Sequence, residues 1–303
     1  MTRALPIIAV LLALLILWYI GSVALNAPVL LDAYARNNTP FAWESFILDA
    51  WNQSRPVLPS PHQVLIEFWN TVFRVAPDSK RSLVYHSWVT LSATLLGFVI
   101  GTVFGVLLAV LIVHNDASDR SLMPWIIASQ TIPIVALAPV FVVVTYNVLT
   151  GDNLLSHAFH LTGDTARLVS KAMVSTYLSF FPVVVGMVKG FRSPEAIQLD
   201  LMRTYNAGPM KTFWKLRFPI ALPYLFTSMK VAVAASLVGA IVGELPTGAV
   251  AGLGARLLGG SYYGQTTQIW SALLAAALLA GLLVVAVGAV ERLVISRMGA
   301  RPS

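Results

Sequence analysis

Residues Ser87 to Val113 read SWVTLSATLLGFVIGTVFGVLLAVLIV, a run without a single charge. About 20 apolar residues suffice to cross the roughly 30 Å of bilayer hydrocarbon as a helix, so this run is long enough to span a membrane. Working outward, charge-free apolar stretches also run from Ala4 to Leu31, from Ser121 to Gly151 and from Ala172 to Val188. A fifth span fits from about Ala221 to Leu245, with Lys230 and Glu244 toward its two ends, and a sixth lies within Leu257 to Val290. The whole chain agrees: 57% of its 303 residues are hydrophobic, 11% are charged, and the mean hydropathy is +0.76. Lipid is the solvent such a composition requires. The fold class is therefore all-α, a polytopic membrane protein with six transmembrane helices.

The first run could be a signal peptide, but its apolar part from Ala4 to Ile20 exceeds the usual 7 to 15 residues, and it is read as a span. The chain divides into an N-terminal transmembrane helix (1–25), an extracytoplasmic segment (26–86), a transmembrane core (87–295) and a cytosolic tail (296–303). The formal charge of +7 raises a nucleic-acid partner, and its distribution decides against one. With the amino terminus inside, the inside segments carry eleven basic against five acidic residues, and the outside segments, Lys171 among them, eight against seven. That bias is topological, and it puts both termini in the cytosol.

Chemistry-bearing residues are few. There is no cysteine, which removes disulfides, thiolate metal sites and cysteine nucleophiles. His62, His86, His114, His157 and His160 form no HExxH pair, so no metal site is expected. Glu244 is the lone acid of its span, with no partner evident in the sequence. An acid at that depth has to face a cavity, find a partner or sit at the interface, and the interfacial and gating readings stay open together.

Gly97, Gly101 and Gly105 recur every four residues and mark a close-packing seam, within one subunit or between two. Gln130-Thr131-Ile132-Pro133, with Pro139 beyond, implies a break in the third span. Gln130 and Thr131 beside it either line a pathway or bond between helices. In the outside segment, Val64, Leu65, Phe68, Trp69, Val72 and Phe73 follow Pro61 at helical spacing. That helix lies on the membrane surface or docks an external partner.

The cytosolic segment between the fourth and fifth spans, 190–223, reads as helix, turn, helix. Ser193 is placed to cap the first helix, with Pro194 and Glu195 in its first turn, and Ile197, Leu201 and Tyr205 form an apolar stripe. Asn206 suits a left-handed end, Gly208 and Pro209 the next start, and Pro219 and Pro223 a stop before the fifth span. An ordered, exposed apolar hairpin with basic flanks either docks on a partner or rests on anionic lipid.

This segment resembles the loop of permeases of binding-protein-dependent ABC importers: Glu-Ala-Ala, three residues, Gly, nine residues, Ile, one residue, Leu-Pro. Asp200, Leu201 and Met202 stand at the first three positions, Asn206 at the glycine, and Ile220, Leu222 and Pro223 at the close, without a gap. The alanines and the glycine are replaced. Leu58-Pro59-Ser60-Pro61, Ile132-Pro133 with Pro139, and Gly243-Glu244 followed by Gly252-Leu253-Gly254 resemble the branch importing nitrate, taurine, sulfonates and pyrimidines. The resemblance implies a type I importer: two permease copies, identical or related, two ATPase subunits and an extracytoplasmic solute-binding protein in the bacterial inner membrane. It implies that Ile197, Asp200, Leu201, Met202, Arg203, Tyr205, Asn206, Ala207 and Gly208 form the ATPase-coupling loop. The pathway candidates are Gln130, Thr131, Pro133 and Glu244. The chain lacks GxxxxGK[ST], so ATP and Mg are expected on a partner ATPase only, with no cofactor here. The competing classes are a secondary transporter or channel and, with no paired acid or base in the bilayer, an intramembrane enzyme.

Overall fold

The computed structural model describes residues 4–151, 162–246 and 251–297, and every regular element among them is helical. Arg3, Asp152, His157, His160, Arg301 and most of the expected tail lie outside the described residues. The chain forms two compact units, residues 1–87 with 255–276, and residues 88–254 with 277–303.

In the first unit, α1 (Ala4–Asn37) is exposed and apolar from Leu5 to Ile20, as lipid contact requires. The helix does not end at the expected boundary near Asn26: it runs on to Asn37 and turns only at Asn38, where φ is 50°. The reason is local. Asn26 is fully buried, its Nδ2 donating to Ala50 O and Leu58 O at 3.0 Å each, and its Oδ1 accepting from Val57 N at 2.7 Å. Its amide satisfies the backbone of the returning chain, so the helix has no cause to end there. The antiparallel α2 (Trp43–Trp51) packs Phe46 and Ala50 onto Leu30, and Tyr34 Oη donates to Asp49 at 2.5 Å. Then α3 (Pro61–Trp69) starts at Ser60, whose N–H donates to Gln63 Oε1 at 3.1 Å, and it ends in a π-turn, Asn70–Arg74. The expected apolar stripe divides: Val64 is buried, while Leu65, Trp69 and Phe73 are exposed.

The second unit is built on α4 (Leu83–His114), α7 (Gly163–Phe191) and α10 (Phe218–Glu244). The glycine seam of α4 faces α7 of the same chain. A methyl at Gly97 would meet Ser175 and lie 2.6 Å from Ala172 O; at Gly101 it would meet Ser179; at Gly105 it would lie 2.8 Å from Val183 Cβ. Small residues let these backbones approach, and hydroxyls then reach carbonyls of the neighbouring helix. Ser179 Oγ donates to Gly97 O at 3.2 Å, Ser175 Oγ to Ser236 O at 2.9 Å, and Ser236 Oγ to Thr94 O at 2.8 Å. Each of the three helices is thus bonded to the other two.

The order of these contacts fixes chain direction. From Gly97 to Gly105 the partners advance from Ala172 to Val183, so α4 and α7 run parallel. On α10 the order reverses, with Gly186 against Ser228 and Gly239 against Ser175, so α10 is antiparallel to both. Two parallel spans require an odd number of crossings between them. Among the described residues that crossing falls to α5 (Asp116–Ser129) and α6 (Ile134–Thr150), an apolar pair bent by 103° at the Gln130–Pro133 break. A single crossing by the pair meets that requirement, and counted as one span it brings the five long helices to six. The break is sharper than the expected kink because Pro133 disfavours helical backbone before it, while Tyr177 Oη holds Ser129 O in place.

Two further corrections concern boundaries. Lys171, placed by the sequence in an outside loop, lies inside α7 and is buried. Pro219 and Pro223 do not stop the helix that follows the turn at Asn206. The short α9 (Pro209–Thr212) passes through a π-turn, Phe213–Arg217, straight into α10. The wider turn accommodates prolines that lack an N–H, and Phe213 fills the space against Phe191 and His114, with ring centroids 5.2 and 5.1 Å away.

Candidate functional site

The segment linking α7 to α10 is largely exposed. Ser193 does not open α8 (Ala196–Thr204). Its hydroxyl closes α7 by donating to Gly190 O at 2.7 Å, so the cap passes to Glu195, whose N–H donates to Gln198 Oε1 at 3.1 Å. At the far end Ala207 N–H bonds Met202 O at 2.9 Å and Asn206 N–H bonds Arg203 O at 2.9 Å. This is the paired closure of a Schellman motif, and it requires Asn206 to take φ of 47°. Asparagine does so with less strain than most residues. Gly208 then caps α9 with Pro209 at the first position, as its sequence implies.

The helix so fixed displays what a soluble surface hides. Ile197 is 74%, Leu201 55% and Tyr205 75% exposed, in one row. Met202 and Ala207 are half-buried beneath, and Asp200 pairs with Arg203 at 2.9 Å on the surface. Sequence reasoning missed Met210 and Trp214, both exposed and apolar, which extend the row beyond Gly208; their alternation with Lys211 and Lys215 was the available signal. The start of the segment is tied down by Arg192, which contacts Asp119 of α5 at 2.7 Å.

Gln130, Thr131 and Pro133 are exposed at the α5–α6 break. Their side chains bond locally, Thr131 Oγ1 to Ala128 O at 2.7 Å and Gln130 to Ser129, so they make no bond to another helix among the described residues.

Glu244 lies elsewhere, at the end of α10, and it is fully buried with partners. Its carboxylate accepts from Thr90 Oγ1 at 3.0 Å and from Gly254 N–H at 2.8 Å, with Lys171 Nζ at 3.5 Å. Lys171 also donates to Ala251 O at 3.1 Å, and Leu253 N–H donates to Thr90 Oγ1 at 2.8 Å. Gly252, at φ of 126°, passes so near the carboxylate that any side chain there would collide with it. The cluster ties α4, α7, α10 and the 251–254 turn together. An ion pair needs such satisfaction when it is removed from water. Lys171 and Thr90 were not legible as its partners; the close Gly252 and Gly254 were the only hint. No group of three metal-ligating side chains occurs among the described residues.

The arrangement is that of a membrane scaffold with an exposed apolar hairpin, and the family described as binding-protein-dependent transport system inner membrane component matches residues 101–300. The chain belongs to this family. It is 32% identical over 198 residues to the formylaminopyrimidine transport permease protein ThiX of Halalkalibacterium halodurans, covering 65% of this chain and 68% of the relative. It is 30% identical over 239 residues to the riboflavin transport system permease protein RibX of Chloroflexus aurantiacus, covering 79% and 80%. The putative aliphatic sulfonates transport permease protein SsuC of Bacillus subtilis is 22% identical over 221 residues, covering 73% and 71%. The binding-protein-dependent permease thus falls in the nitrate, sulfonate and pyrimidine branch. It is a multi-pass inner-membrane component of an ABC importer for a small solute, and a transport permease rather than an enzyme.

Proposed function

We propose that this permease forms half of a translocation pathway and couples it to a separate ATPase through the exposed hairpin from Ala196 to Arg217. The observation that carries this is the row Ile197, Leu201, Tyr205, held open to solvent on a helix capped at both ends. Ordered apolar side chains with no cover in their own chain gain by burial against a partner, about 1.5 to 3 kcal/mol for each large one. The partner ATPase supplies the phosphate-binding loop, ATP and Mg. A second copy or a related permease completes the pathway, and an extracytoplasmic binding protein delivers the solute. The hairpin and both termini face the cytosol, an orientation supported by the basic bias of those segments. Gln130, Thr131 and the open backbone at Pro133 line the pathway side of the broken span, where irregular backbone is tolerated in a membrane.

The solute is a small pyrimidine-like heterocycle rather than nitrate or a sulfonate. The relatives at 30% identity or above that are named by solute are named for formylaminopyrimidine and riboflavin, and those named for sulfonates, nitrate and bicarbonate are at 21 to 25%.

The coupling test is co-purification with the cognate ATPase together with transport in proteoliposomes. Leu201→Asp and Tyr205→Asp reduce ATPase capture and uncouple hydrolysis from uptake, because the docking groove has no partner for the new charge. If capture is unchanged by these and lost instead on neutralising Lys211, Lys215 and Arg217, the hairpin rests on lipid and the proposal fails. A thermal-shift screen of the binding protein with pyrimidines, flavins, taurine, alkanesulfonates and nitrate tests the solute class separately.

A further inference from the structure

The face of α3 that the first unit does not bury carries both an apolar wall and a cation. Leu65, Ile66, Trp69, Asn70 and Arg74 line an open groove of about 350 Å³. Pro61 and Val64 on the other side are buried, and Thr71 Oγ1 is bound to Glu67 O at 2.7 Å. In an unbroken α-helix Arg74 would lie about 140° around from Trp69. The π-turn Asn70–Arg74 advances each residue by less, and so brings Arg74 back to the face of Ile66 and Trp69. Phe73 packs on Trp69 with ring centroids 4.3 Å apart. Arg74 is exposed and enters none of the ion pairs found among the described residues.

The depth of the groove follows from contacts in the same unit. Trp18 Nε1 donates to Pro59 O at 3.0 Å, and Tyr19 Oη meets His62 Nδ1 at 3.3 Å, so α3 begins beside Trp18 and Tyr19 of α1. Leu5 to Ile20, the lipid-facing row, rises about 24 Å and ends at that level. There Trp18 packs on Trp270 and Tyr19 on Trp51, with ring centroids 4.9 and 5.2 Å apart. Such a ring of indoles and phenols marks headgroup depth.

We propose that this groove binds one anionic phospholipid, with acyl chain over Leu65, Ile66 and Trp69 and phosphate on the Arg74 guanidinium beside the Asn70 amide. The charge complementarity and the depth select a lipid, and the π-turn is the device that joins the two halves of its site.

The test uses the full chain purified into nanodiscs of phosphatidylglycerol and phosphatidylcholine at a ratio of about 1:3, followed by release into detergent and native mass spectrometry of the lipid retained. The wild-type chain keeps phosphatidylglycerol in excess over its share of the bilayer. Arg74→Gln loses one retained phosphatidylglycerol per chain, Trp69→Ala lowers its occupancy severalfold, and Arg55→Gln, an exposed arginine outside the groove, leaves it unchanged. Millimolar inorganic phosphate does not displace it. Retention at the wild-type level in both Arg74→Gln and Trp69→Ala overturns the proposal. So does displacement by inorganic phosphate, which assigns the groove to a free anion. An unchanged lipid count in Arg74→Gln with weakened capture of the solute-binding protein overturns it in favour of a protein contact.

Discussion

Thr90 and Glu244, 154 positions apart in sequence, are joined at 3.0 Å, and the hydroxyl that donates to the carboxylate also accepts from Leu253 N–H. One threonine thereby links the start of α4 to the end of α10 and to the 251–254 turn.

Removing the acid of this cluster leaves Lys171 charged and buried. Glu244→Ala is expected to destabilise the permease by about 3 to 5 kcal/mol, the usual cost of breaking a buried pair on one side. Glu244→Gln costs less, since its amide oxygen still accepts from Gly254 N–H. Thermal unfolding in detergent gives the order wild type, Gln, Ala; melting points that coincide would show that the cluster stabilises nothing.

The glycine seam yields a contrast. Gly101→Ala pushes a methyl into Ser179 and should lose about 1 to 3 kcal/mol by overpacking, whereas Gly208→Ala, with nothing within 4 Å and φ of −64°, should change stability by less than about 0.5 kcal/mol. Equal effects in the same unfolding assay would contradict the tight approach of α4 and α7.

Topology can be read with single cysteines, since the chain has none of its own. Labels at Asn38 and Asp164 should react from one side of the membrane, and labels at Asp116 and Lys211 from the other. Asp164 reacting with Asp116 would mean that the bent α5–α6 pair returns to its starting side, against the parallel packing of α4 and α7.

At Asn206 the backbone, not the side chain, sets the tolerance. Asn206→Gly should preserve hydrolysis-coupled uptake, while Asn206→Val, strained by about 1 to 2 kcal/mol at φ of 47°, should impair it. Uptake by the valine variant at the wild-type rate would remove the turn from any account of coupling.

Much of this was legible because single residue types carried it. Runs without charge gave the spans, glycines at a spacing of four gave the seam, and Asn206 gave a left-handed turn because few residues accept one. Ser193 misled: a serine before a proline reads as an opening cap, yet the preceding helix took its hydroxyl first. The π-turns at Asn70 and Phe213 left no sign, because widening a backbone requires no particular side chain. Lys171 was misplaced since a lysine near a span end looks solvated until its partner, distant in sequence, is known. The broken span announced itself through Pro133, but the Tyr177 hydroxyl that bonds Ser129 O beside the 103° bend comes from another helix.

The unbroken passage from Pro209 to Glu244 has a mechanical meaning. Thirty-six residues of continuous helix make a rod of about 54 Å, longer than the hydrocarbon is thick. Its lower tip is the apolar hairpin and its upper tip is locked into the carboxylate cluster. Under the proposed coupling, a thrust on the hairpin reaches the carboxylate cluster as leverage on a shaft, with no loop between them. The π-turn at Phe213–Arg217, with Pro219 and Pro223 just beyond it, interrupts the regular hydrogen-bond ladder near the hairpin end, and bending of the shaft concentrates there.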